Sequence, residues 1–284
     1  MPIPVSESLN SEEFFTGTFM SYEIDSADNQ FDPYQEYDLT LAEKNDFKIK
    51  PDKTITYKMN NYGHRSDDFN PLDSNKTNIL FAGCSITFGD ALPHQYRWSE
   101  FLYNELEFED KGPYQCLGFL GGGADKIVIN IMKYCLKFGN PDIIFILYSD
   151  FSRQTRYIKD SKHFRSMIEL DYSTDPISLE SEELAYALFT QTQNYMRVLE
   201  IYCKMQGIKL VTSSWDSNTT HALSKLDLTS YYPMHNLDPS SIDTDWVPKE
   251  DRKFLIRARD GHHDGIINNL MMKKFFLESY QSMV

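Results

Sequence analysis

Three side chains in this sequence have the types and the spacing for nucleophilic acyl chemistry: Ser85, Asp260 and His263. A serine hydroxyl is a weak nucleophile at neutral pH, so it needs a base to take its proton and a carboxylate to fix that base's tautomer. Ser85 follows the apolar run Ile79-Leu-Phe-Ala82 and a glycine, Gly83. A sharp strand-to-helix turn of this kind exposes Oγ and leaves backbone N–H groups to bind an oxyanion. Near the other end, Arg259-Asp-Gly-His-His-Asp-Gly265 contains Asp260-x-x-His263, which delivers an acid and an imidazole from one short loop. Each stretch alone also reads plainly, the first as a Gly-Ser turn and the second as a polar loop with Asp264 as the N-cap of the next helix. Their order, each at the end of a predicted element, favours the chemical reading. Cys84 is an alternative nucleophile, but as Ser85's neighbour its side chain is expected to point the other way.

The α/β-hydrolase elbow requires G-x-S-x-G, and Thr87 stands where its second glycine belongs. Gly83-x-Ser85-x-Thr87-x-Gly89 instead resembles the first block of the SGNH/GDSL hydrolases, and Asp260-x-x-His263 resembles their last. The resemblance spans most of residues 58–280. Asn60-x-x-Gly63-x-Arg65 is similar to a lead-in found in a subset of that family, and also reads as a turn with a surface arginine. Cys116-Leu-Gly-Phe-Leu-Gly-Gly-Gly123 resembles the second block, whose glycine gives an N–H to the oxyanion; spacing to Asp125 and Ile127 assigns that role to Gly121. The third block departs, because Pro141-Asp-Ile-Ile-Phe-Ile-Leu-Tyr-Ser-Asp150 ends without the family's asparagine. Ser149, Ser152 and Asn218, each after a predicted strand's carboxyl end, are candidates for the missing donor. The resemblance implies a cofactor-free esterase or deacylase in which Ser85 attacks, His263 serves as base and Asp260 orients it. The substrate would be a small-molecule or carbohydrate ester, with O-acetyl groups on carbohydrate the leading class. The competing reading is a binding or structural protein that kept the fold and lost efficient chemistry, since losing one oxyanion donor costs about 10²–10³ in rate.

The elements that must hold these residues follow from periodicity. Ile79–Ala82, Tyr114–Gly118, Ile143–Tyr148 and Ile208–Thr212 read as buried strands. Tyr96–Phe108, Asp125–Phe138, Glu180–Met205 and Ile266–Tyr280 have helical spacing. Alternating units of this kind predict a three-layer α/β/α sandwich with a mainly parallel sheet of about five strands. Residues 151–178 are expected to be a long connection carrying Arg153, Arg156, Lys159, Lys162, His163 and Arg165, a positive run that suits either solvent or an anionic substrate group. The span 216–253, with Tyr231, Tyr232 and Trp246, is expected to be loop-rich and to cross near the site.

A 41% hydrophobic, 25% charged composition supports a packed domain, expected over 58–284, preceded by an irregular acidic and aromatic extension at 1–57. The net charge of −14 argues against nucleic acid and anionic membranes as partners. The first residues lack a signal peptide's basic start and apolar core, and no apolar run reaches transmembrane length, so a cytoplasmic location is expected. The four cysteines have no C-x-x-C spacing and suit buried thiols. The glycines at 118 and 121–123 do not form G-x-G-x-x-G, and beyond the Asp260–Asp264 loop no cluster has metal-ligand spacing, so neither nucleotide nor metal is expected. The oligomeric state is left open.

Overall fold

The computed structural model describes residues 30–31, 57–58, 60, 62, 64–90, 92–119, 122–151, 153–158, 163–168, 179–216, 219–220, 223–224, 228–234, 241–256 and 265–283. Two short strands, β1 (Gln30–Phe31) and β2 (Tyr57–Lys58), pair antiparallel and straddle the expected boundary at residue 57. Four strands then form a parallel sheet: β3 (Ile79–Gly83), β4 (Gln115–Gly118), β5 (Ile143–Tyr148) and β8 (Lys209–Ser214), in the order β4-β3-β5-β8. Between β5 and β8 lie an antiparallel hairpin, β6 (Arg153–Ile158) with β7 (His163–Ile168), and the long helix α4 (Leu179–Gln206). The remaining helices are α1 (Ser85–Phe88), α2 (Trp98–Glu105), α3 (Ala124–Phe138) and α5 (Ile266–Gln281).

Alternation along the strands divides the core. Leu80, Ala82, Leu117, Ile144, Ile146 and Leu210 pack in one cluster with Ile127 and Ile131 of α3 and Leu199 and Cys203 of α4. Ile79, Phe81, Cys116, Phe145, Leu147 and Val211 pack in a second with Trp98 and Leu102 of α2 and Met272, Phe276 and Tyr280 of α5. Both sets are needed because a parallel strand buried on two faces has to be covered on two faces. Aromatic pairs lock the second cluster: Phe81 lies 5.6 Å from Trp98 edge-on, and Trp98 stacks on Phe276 at 4.5 Å.

Three expectations change. Among the described residues the parallel sheet has four strands where about five were expected, and beside β8, in the span expected to be loop-rich, a single parallel bridge joins Tyr231 to Thr212. The helix expected from Tyr96 begins at Trp98, since His94–Tyr96 forms a separate 3-10 turn and Arg97 is extended between the two. The connection expected over 151–178 contains the β6–β7 hairpin, whose strands carry Thr155, Tyr157, Ile158, Phe164 and Ile168, residue types that favour strands, among their cations.

Candidate active site

The strand order creates a topological switch point at the carboxyl ends of the strands. From β3 the chain goes to β4 on one side, and from β5 it goes to β8 on the other, so the carboxyl ends of β3 and β5 flank the point where connections diverge. Open α/β sheets bind their ligands at such a switch point. Ser85 follows β3 there, and Ser149 follows β5.

Ser85 begins α1 directly after the extended residue Cys84 (φ −89°, ψ −153°), and the helix lasts only four residues. Gly89 ends it with φ 74°, a left-handed conformation that suits glycine, and its N–H bonds the carbonyls of Ser85 and Ile86. The turn is pressed against β4: a Cβ on Gly118 would lie 2.5 Å from the backbone nitrogen of Phe88. Thr87 stands against Gly83 and accepts a hydrogen bond from Trp98 Nε1 at 3.3 Å. Cys84 is fully buried in the second core cluster, where its Sγ accepts from Trp215 Nε1 at 3.3 Å. The thiol therefore faces the core. Ser85 is 9% exposed, and its hydroxyl hydrogen-bonds no other described residue.

What fixes this turn from below is Arg65, which is 1% exposed and not a surface arginine. Its Nη1 donates to the carbonyl of Gly89 at 2.6 Å and its Nη2 to that of Leu92 at 2.8 Å, with a longer contact of 3.4 Å to Phe88. A buried cation thus satisfies carbonyls that the end of a short helix leaves unpaired. Asn60 shapes the loop that delivers it, accepting from the N–H groups of Tyr62 and His64 and donating to the carbonyl of Asp67. Arg97, also fully buried, donates to the Arg65 carbonyl at 2.7 Å. Sequence reading missed Arg97; its signal was a cation inside the apolar stretch Tyr96-Arg-Trp98. Beside it, burial lowers the pKa of His94 despite the hydrogen bond to Glu100.

The loop after β4 is anchored from the neighbouring strand. Ser149 is 1% exposed, and its hydroxyl donates to the Gly122 carbonyl at 2.7 Å. On the next residue, Gly123, a Cβ would lie 2.2 Å from the Arg153 carbonyl, so the start of β6 abuts the start of α3. The Arg153 guanidinium lies 5.9 Å from the Trp215 ring, which links β6 to the residue that contacts Cys84. Lys126, 1% exposed, sits 4.6 Å over the Phe119 ring, and burial holds its pKa well below the usual lysine range.

Asp260, His263, Gly121, Ser152 and Asn218 lie outside the described residues. The structure does describe where the 257–264 segment leaves and rejoins the domain. Gly265 N–H donates to the Ile256 carbonyl at 3.2 Å and Ile267 N–H to that of Leu255 at 3.0 Å, so the segment starts and ends at one point. Ile266 shares a buried cluster with Phe88 of the serine helix, and Leu255 packs against it. Among the described residues no group of His, Cys, Asp or Glu has the arrangement of a metal site, and no helix is long and apolar enough to cross a membrane. The sequence matches no family model and no curated relative.

Proposed function

We propose that this chain is a serine hydrolase of SGNH type, a three-layer α/β/α sandwich that cleaves a carboxylic ester with Ser85, His263 and Asp260. The observation that carries the reading is the meeting of two distant stretches at the serine helix: the base of the 257–264 segment is pinned beside α5, and Ile266 shares Phe88's cluster three residues from Ser85. His263 stands two positions before Gly265, a chain length of at most about 7 Å. In the proposed reaction Ser85 Oγ attacks the ester carbonyl while His263 accepts its proton. The imidazolium, oriented by Asp260, then protonates the departing alcohol, and water repeats the sequence on the acyl-serine. Backbone N–H groups of Ser85 and Gly121 would hold the oxyanion, with Asn218 or Ser152 as supplements. Ser149 would serve by positioning the Gly122 loop, since its proton is directed at the Gly122 carbonyl. O-acetyl groups on carbohydrate are the proposed substrate class.

The same Ser149 geometry favours a second reading, a weakly active or inactive SGNH-fold binding protein, because the hydroxyl after β5 is already engaged. Labelling by a fluorophosphonate decides between them. A hydrolase is labelled at Ser85 and loses the label in Ser85→Ala, whereas label on Cys84, or none above the Ser85→Ala background, refutes the assignment.

A further inference from the structure

Helix α4 has two faces of different character. Leu188, Thr192, Met196, Leu199 and Cys203 are buried against the domain. On the outward side Leu184, Ala187, Val198, Ile201 and Met205 are exposed, with the exposed pair Gln191 and Asn194 between them. These seven positions recur at alternating steps of three and four residues. That spacing is the a/d seam of a coiled coil, the stripe that packs against a second helix. Val198, Ile201 and Met205 are 56%, 59% and 76% exposed. The first two are β-branched, so helix propensity gives no reason for them on a solvent face. Charge is also distributed along the seam. Glu183 stands beside its first residue and Lys204 beside its last, both exposed, and among the described residues neither forms an ion pair.

We infer that α4 is a dimerisation helix, pairing antiparallel with α4 of a second copy of this chain. The seam is self-complementary in that direction. When Gln191 lies opposite Asn194 of the second copy, the twofold axis sets Leu184 opposite Ile201 and Ala187 opposite Val198 at both ends. Glu183 of each chain then stands beside Lys204 of the other. Sliding by one heptad would set Gln191 against Ile201 and Asn194 against Val198, so the polar centre fixes the register. A parallel pair would leave Glu183 and Lys204 about 32 Å apart along the axis. The seam is about 32 Å long and one helix, about 10 Å, wide, or about 300 Å² on each chain. That is the small end of specific interfaces, so the association is reversible and falls in the micromolar range. The pairing holds whatever chemistry Ser85 performs.

Sedimentation equilibrium of the full chain from about 1 to 500 µM tests this, and the wild type should pass from monomer to dimer across that range. Ile201→Asp puts a charge into the seam and should raise Kd at least about thirtyfold, while its exposed position leaves the melting temperature unchanged. In about 0.1 M salt Glu183→Lys and Lys204→Glu should each weaken the dimer about tenfold, since each sets like charges together at both ends. The exchange Glu183→Lys/Lys204→Glu keeps the net charge at −14 and should return Kd to within about threefold of wild type. Direction is read by crosslinking, because Cys84, Cys116, Cys135 and Cys203 are buried and mild oxidation reports introduced thiols. Ala187→Cys mixed with Val198→Cys should give a disulfide-linked dimer, whereas neither variant alone should, its two thiols lying about 16 Å apart along the axis. A wild type that stays monomeric throughout, a dimer that Ile201→Asp leaves intact, an exchange no better than the single reversals, or a crosslink in either cysteine variant alone overturns the inference.

Discussion

Replacing Arg65 with alanine should be among the most destabilising single changes in this chain. The side chain is 1% exposed and donates short hydrogen bonds to the carbonyls of Gly89 and Leu92, with a third contact to Phe88. Hydrogen bonds from a charged donor are worth roughly 1.5–3 kcal/mol each, and a buried carbonyl left without a partner costs a similar amount. Two such bonds give about 3–6 kcal/mol, a large part of the roughly 5–15 kcal/mol by which a domain of this kind is stable. Urea unfolding of wild type and Arg65→Ala followed by tryptophan fluorescence measures this, because Trp98 is held against Thr87 on the same turn. Arg65→Lys should recover only part of the loss, since one ammonium cannot reproduce a planar fork that reaches carbonyls three residues apart. A loss below about 1 kcal/mol for the alanine variant would refute the claim that Arg65 holds the serine turn.

Gly118→Ala should act on the same turn from the other side, because its Cβ would lie 2.5 Å from Phe88 N, a backbone atom that yields only by moving the helix. A displacement approaching 1 Å should cost about 10²-fold in kcat on a chromogenic acetate ester, and overpacking about 1–3 kcal/mol in denaturant unfolding; wild-type kinetics in this variant would show that the turn tolerates displacement. His263→Ala should lose orders of magnitude in kcat and His262→Ala should keep most of it, because adjacent residues on an extended loop face opposite ways. The reverse result would place the 257–264 segment out of register with the proposed triad. Alkaline stability follows from the buried phenols. Burial, aided by the hydrogen bond to Asp251, pushes the Tyr96 pKa up to about 12, and burial pushes that of Tyr231 up to about 12 as well. Above pH ~10 the unfolded chain releases protons that the folded chain retains, so the unfolding midpoint in urea should fall as pH rises from about 10 to 12; an unchanged midpoint would contradict the burial of these phenols.

The parts legible in the sequence were those governed by a single period. The run Ile143–Tyr148 is apolar at every position and was read at its observed limits, and the glycines at 139 and 207 marked the ends of α3 and α4. Strand β8 was harder. It was expected over Ile208–Thr212 but runs over Lys209–Ser214, because Ser213 and Ser214, polar by type, are buried with their hydroxyls donating to the carbonyls of Tyr232 and Tyr148. The hairpin was hidden because its cations resemble a solvated connection more than they resemble alternation. Arg65 was singled out in Asn60-x-x-Gly63-x-Arg65, but its burial was hidden, since the carbonyls that justify burying a guanidinium lie 24 and 27 residues away and nothing local announces them. For the candidate site, the turn bearing Ser85 was readable from Gly83 and the run before it. The distances that would join it to His263 belong to residues beyond those described.

The seating of α5 bears on the order in which the protein is made. Its Asn269 accepts from the Trp98 backbone N–H at the start of α2, and its Phe276 stacks on Trp98, contacts that span 171 and 178 residues of chain. A ribosome delivers α5 after every other described element. Until it emerges, the side of the sheet bearing Phe81 and Phe145 lacks one of the two long helices that cover it, and Trp98 lacks its stacking partner. The growing polypeptide therefore carries a partly uncovered aromatic surface from the completion of β5 until α5 follows.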